Sequence, residues 1–146
     1  FFFFSNRMAD ALGSSRDEDA VIGKKLAVRA KVAKELVATE VTYCNAISSI
    51  VSEFLRPSES ILKKQYVTEI FSNIDQIHEL HSSILPDLQS CVAEWNDDSC
   101  VAEVFYTLVP YLKLYKIYCG NYNGAVLRVD ERCNSSSRFA NLLATK

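Results

Sequence analysis

The chain has 146 residues, enough for one domain with a core of its own. Its 49% hydrophobic and 23% charged content is that of an ordinary globular protein, and a net charge of −2 excludes the broad basic field of a nucleic-acid binder. Only 4 Gly and 3 Pro argue against a β-rich or disordered chain. The 5 Cys are odd in number and form no C-x-x-C pair, so they read as reduced thiols and not as a disulfide framework. No apolar run reaches the length of a membrane span.

Residues 1–19 are expected as a disordered or artefactual tail. Met8 is the first methionine, and Gly13-Ser14-Ser15 with Arg16-Asp17-Glu18-Asp19 is polar and unpatterned. The domain proper is placed at 20–146. A helical pattern runs from about Val21 to Leu55, roughly 50 Å at 1.5 Å per residue, which suits an elongated bundle. Its apolar stripe reads Val28, Val32, Leu36, Tyr43, Ile47, Ile50, Phe54, and the opposite face carries Lys31, Lys34, Glu35, Thr42, Asn45 and Ser49. Arg56-Pro57-Ser58 is expected to end this helix, because Pro57 disfavours helical backbone at Arg56 and Ser58 can cap the next element.

A second helical stripe follows: Val67, Ile70, Phe71, Ile74, Ile77, His81, Ile84, Leu85 and Leu88, with a kink or restart expected at Pro86. Asn96-Asp97-Asp98-Ser99 is the clearest turn, and Ser99 or Asp98 is expected to cap a third long helix. That helix carries Val101, Val104, Phe105, Leu108, Leu112, Tyr115, Tyr118, Tyr122 and Val126, should bend at Pro110, and is weakened by Gly120 and Gly124. Residues 132–138 read as a polar break before a short apolar segment from Phe139 to Leu143. The fold class is therefore all-α, an elongated antiparallel helical bundle.

The run Glu35-Leu36-x-x-Thr39-Glu40-x-x-Tyr43 resembles the first conserved block of the Dbl-homology domain, the exchange-factor module for Rho-family GTPases. Phe54-Leu55-Arg56-Pro57 resembles that family's exit from its first helix, and Ile70-Phe71-Ser72-Asn73-Ile74 resembles a segment further on. Phe105, Pro110, Leu114-Tyr115-Lys116-Ile117-Tyr118 and Asn121 resemble its second block. The family's third block, a Leu-x-x-Pro-x-Gln-Arg run, has no counterpart before Lys146, so the chain is expected to be the N-terminal part of such a domain, truncated before its last helices, and marginally stable when made alone.

The resemblance implies a cytoplasmic guanine-nucleotide exchange module for a Rho-family small GTPase, acting by binding, with no covalent chemistry and no cofactor. Glu35 would accept hydrogen bonds from the GTPase switch I loop, and Thr39, one turn on, would line the same surface. Membrane recruitment is expected only through a domain outside this chain. On residue types alone Glu35 is a solvated surface glutamate and Thr39 packs equally well against a neighbouring helix. Tyr43, Tyr115 and Tyr118 read as core or boundary residues with a hydroxyl reaching a polar partner. His78 and His81 read as one surface and one core-edge histidine and not a metal pair, since H-E-L-H is one residue short of H-E-x-x-H. Cys44, Cys91 and Cys119 read as small buried hydrophobes. Two rivals stand beside exchange: a non-catalytic helical scaffold derived from the same fold, and a metal-dependent helical-bundle enzyme using the two histidines.

Overall fold

The long amphipathic pattern at the start of the chain forms a helix that the rest packs along. The structure, a computed structural model, describes the backbone of residues 2–145 and the side chains of residues 18–145. Helix α1 (Phe2–Ser49) passes into a π-helical turn, Ile50–Leu55, and then into the short α2 (Arg56–Glu59). After a turn come α3 (Lys64–Phe71), α4 (Ile74–Ala93), α5 (Val101–Tyr106), a 3₁₀ turn at Val109–Tyr111, α6 (Lys113–Ser135) and α7 (Ser137–Ala144). Among the described residues there is no strand, as the all-α expectation required. The stretch expected as a tail lies in α1 from Phe2 onward.

The exit at Pro57 differs from expectation. Arg56 keeps helical angles (φ −62°, ψ −45°), and its N–H bonds the Val51 carbonyl five residues back. A proline in an α-helix strands the carbonyl four residues before it and clashes with it. The wider π turn relieves both problems, so the helix continues to Glu59. Ser58 therefore caps nothing. It lies inside α2, fully buried, and its hydroxyl has no hydrogen-bond partner among the described residues.

The buried stripe of α1 is also not the expected one. Continued through the π turn into α2, it reads Ala33, Val37, Glu40, Cys44, Ile47, Val51, Leu55, Ser58, one residue on from the sequence reading at most positions. Val28 and Val32 are 60% and 55% exposed. The expected polar face, from Lys31 to Ser49, is exposed throughout. In contrast, the stripe of the second region holds from Val67 to Leu88, and α4 runs through Pro86 without a break.

That stripe is carried on two helices. Between α3 and α4 the chain turns at Ser72, which has a positive φ of 50° and ψ of −123°. Asn73 fixes the turn from the far side: its Nδ2 donates to the Leu114 carbonyl at 3.1 Å. Asn121 does the same one layer along, Nδ2 to the Glu69 carbonyl at 2.8 Å, so two amides tie the α3–α4 region to α6.

The turn at 96–99 is present: Asn96 Oδ1 accepts from the Asp98 N–H at 2.9 Å. However, the residue that leads into α5 is Cys100, not Ser99 or Asp98. Pro110 divides the expected third helix into α5, the 3₁₀ turn and α6, and this resets the register. Leu114, Tyr115, Tyr118 and Asn121 then face inward, while Leu112, Tyr122 and Val126 face water. Helix α6 continues past Gly120 and Gly124 to Ser135. The polar break shrinks to Ser136, whose Oγ accepts from the Phe139 N–H and caps α7.

Two apolar clusters result. One joins Ile47, Val51 and Leu55 to Val67, Ile74 and Ile77, with Tyr43, Leu114, Tyr115 and Tyr118 around it. The other joins Val37 to Ile84, Leu88 and Leu108. Along α1 the order is Val37 then Ile47, and along α4 it is Ile77 then Ile84, so the two helices run antiparallel.

A serine at a positive φ is strained by about 1–3 kcal/mol, and glycine is not. Ser72→Gly should raise stability by about 1 kcal/mol after the extra freedom of the unfolded chain is subtracted, read as a higher midpoint in urea.

Candidate functional site

Helix α1 presents two glutamates five residues apart, and the helical repeat sends them to different environments. Glu35 stands on the wet face, its side chain 65% exposed, with Lys31 Nζ 3.7 Å from its Oε1. Such an exposed pair holds weakly, so an incoming partner displaces it at little cost. Thr39 lies one turn on and is exposed too. Its hydroxyl donates to the Glu35 carbonyl at 2.9 Å, which spends the hydrogen and leaves the oxygen free to accept. The structure thus brings the two expected residues together on one accessible surface.

Glu40 points the other way, into the bundle. Its Oε1 faces His81 Nδ1, and His81 Nε2 faces the Tyr115 hydroxyl. The Cys44 thiol also donates to Glu40 Oε1 at 3.8 Å. A carboxylate only accepts, so Nδ1 carries the hydrogen; with a neutral ring, Tyr115 then donates to Nε2. Tyr43 meets the histidine edge-on, ring centroids 4.8 Å apart, and Tyr115 does so at 5.9 Å. The polar layer lies between the two apolar clusters, because Glu40 sits between Val37 and Ile47 and His81 between Ile84 and Ile77.

His81 is thus more than a core-edge residue. It is buried and linked on both nitrogens, while His78 is half-buried. Neither ring nitrogen of His81 is left to ligate a metal. Of the cysteines, Cys44 is buried as expected, Cys91 is half-buried, and Cys119 is exposed, since the α6 register turns it outward. All five are free thiols. Burial, and then the Glu40 carboxylate, raise the Cys44 thiol above its ordinary range.

Sequence reasoning did not single out Glu40 or Arg29. The signal for Glu40 was its spacing: Val37, Glu40, Cys44, Ile47 is an unbroken three–four stripe with one carboxylate in it. Arg29 lies further up α1. It donates to the carbonyls of Asp97 and Ser99 and sits 5.0 Å over the Trp95 ring. Arg29, Trp95 and Ser99 line, with Val32, Leu36 and Val101, a groove of about 290 Å³. Arg132 stacks on Tyr66 at 4.2 Å, and Arg128 pairs with Glu69 at 2.6 Å, closing the far end of the bundle.

Tyr115 is raised well above the ordinary tyrosine value of about 10, chiefly by burial and next by the Tyr43 hydroxyl beside it. A raised value means the folded state keeps its proton where the unfolded chain has lost it. Stability from this residue is therefore full below about pH 10 and falls as pH rises through the range above. Melting followed from about pH 9 to about pH 11 should give a shallower alkaline loss in Tyr115→Phe than in the unsubstituted protein, with Tyr118 and Cys44, also raised, contributing to what remains.

Comparisons with known proteins agree with this architecture. The chain is 34% identical over 116 residues to "Guanine exchange factor for Rac 30" of Dictyostelium discoideum, covering 79% of this chain and 7% of that protein. It is 34% identical over 110 residues to human "Pleckstrin homology domain-containing family G member 3", covering 73% and 9%. The chain thus spans less than a tenth of the length of these relatives. Two solved structures of the Vav1 exchange factor share the fold, with TM-scores of 0.70 and 0.72 at 24% and 23% identity. They cover 76% and 77% of this chain and 30% and 29% of theirs. The RhoGEF domain family matches residues 32–146, which takes in Glu35, Thr39, the buried polar layer and both apolar clusters; the chain belongs to the RhoGEF domain family.

Proposed function

We propose that this chain is a guanine-nucleotide exchange module for a Rho-family GTPase, and that Glu35 and Thr39 lie at its contact with that partner. Exchange of this kind makes and breaks no covalent bond. A module that binds the nucleotide-free GTPase more tightly than the nucleotide-bound form shifts the equilibrium toward it and speeds release of GDP. Family membership supports the activity. The observation that carries the site is the split within one block: Glu40 is withdrawn into the core, while Glu35 is held out on an unobstructed helix face beside Thr39.

A carboxylate is suited to this contact. It accepts from backbone N–H groups and hydroxyls, and such bonds strengthen when the interface excludes water. Five free thiols and the absence, among the described residues, of any helix long and apolar enough to cross a membrane fit a cytoplasmic module. Recruitment to a membrane would fall to a part of the protein outside this chain.

Capture of a nucleotide-depleted Rho-type GTPase tests the site. Glu35→Ala should weaken capture about tenfold, and Thr39→Ala by less, with melting temperatures unchanged because both residues are exposed. Equal capture by Glu35→Ala and the unsubstituted protein would remove Glu35 from the contact. Capture without faster GDP release would favour a scaffold over an exchange factor.

A further inference from the structure

Helix α1 carries two apolar stripes that share Ile47. The stripe facing water or lying at the margin is Val28, Val32, Leu36, Tyr43, Ile50 and Phe54, and it is the more apolar of the two. The buried stripe includes Ala33, Glu40, Cys44 and Ser58, and Ser58 lacks a hydrogen-bond partner among the described residues. The two are one residue out of step. On a helix of 3.6 residues per turn that is a rotation of about a quarter turn. Leu36, Tyr43 and Phe54 of the second stripe are already half-buried, while Val28 and Val32 remain 60% and 55% exposed, so α1 offers a second apolar face beside the buried one.

What holds α1 in the observed rotation is directional. Glu40 bonds His81, and His81 bonds Tyr115, so α1, α4 and α6 are joined through one buried polar layer. A quarter turn would break that layer and leave its groups buried and unpaired. The same turn would carry Thr39 into the stripe between Leu36 and Tyr43 and bring Glu35 to its edge. Apolar contacts tolerate such a turn, and hydrogen bonds do not.

We infer that α1 has two packing rotations, and that the Glu40–His81–Tyr115 tie selects the one that presents Glu35 and Thr39. The three are positioning residues: none faces the exposed surface, and each acts through the rotation of α1. The presentation half of this inference rests on the exchange reading of Glu35 and Thr39. The rotation half does not.

The test removes the tie without stranding a charge. In Glu40→Leu/His81→Leu both partners become apolar, so no buried charge is left behind, and the two groups that lose a contact, the Tyr115 hydroxyl and the Cys44 thiol, are neutral. Tyr115→Phe, which deletes one hydroxyl, serves as the second variant and carries the test if the double variant does not fold. Two readouts are taken on the full chain. Trp95 is the only tryptophan, and it lies in the groove with Arg29, Val32 and Leu36, so its emission reports the rotation directly. Capture of nucleotide-depleted Rho-type GTPase reports presentation.

The expected result is a folded double variant whose Trp95 emission moves to shorter wavelength as Arg29 leaves the ring and Val32 approaches, with capture weakened about tenfold. In a Glu35→Ala background, the same substitutions should weaken capture by less than about twofold, because the lost contact is already gone. Unchanged Trp95 emission in the folded variants overturns the two-rotation inference. A shift in emission with capture unchanged overturns the presentation role. If Glu35→Ala itself captures normally, the exchange-site reading fails, and Trp95 emission still decides the rotation.

Discussion

A carboxylate in a buried helical stripe is costly unless something meets it, and in this chain a histidine from another helix does. Glu40, His81 and Tyr115 come from α1, α4 and α6, three helices that are separate in sequence, and the layer is the one place where a single chain of side-chain contacts links all three among the described hydrogen bonds. The two apolar clusters lie on either side of this layer. Their contacts are non-directional and would accept several relative rotations and slides. The polar layer accepts one. On the inference drawn above it sets the rotation of α1 against α4 and α6, the use best attested for buried polar residues.

The same division of labour recurs at smaller scale. Asn73 and Asn121 each cross to another helix and bond a single backbone carbonyl, fixing the α3–α4 turn against α6. Arg29 does so for the turn after α4, with two carbonyls and the face of Trp95. Apolar burial supplies the bulk of the stability, and a few polar cross-links decide which of several similar packings is adopted.

This explains what could and could not be read from the residues. The stripe of α3 and α4 was legible in full because nearly every buried position in it is apolar and His81 is its only intruder. The α1 stripe was misread by one residue because the true one contains Glu40, Cys44 and Ser58, while a more apolar decoy runs beside it. Pattern reading follows hydrophobicity, so it follows the decoy. Pro57 was expected to end its helix and Pro110 only to bend one, yet Pro57 is absorbed by a π turn and the helix expected around Pro110 is split into α5, a 3₁₀ turn and α6. At the candidate contact, Glu35 and Thr39 were legible from the resemblance, and their exposure and proximity came with the structure. The buried partner of the block's second glutamate could not be read, since it lies 41 residues away.

Arg29 lies three residues before the family match begins at residue 32, yet it is bound to residues of the turn that precedes α5. The stretch matched by the family model is therefore shorter than the stretch whose side chains grip the bundle. In terms of amide hydrogen exchange, the turn of α1 around Arg29 belongs with the body of the bundle, and its protection should follow that of the turn it grips. A boundary drawn at residue 32 would cut through this grip and release two backbone carbonyls and the ring of Trp95 to water. The mechanical edge of the bundle thus lies within α1, upstream of residue 32, where the family match starts.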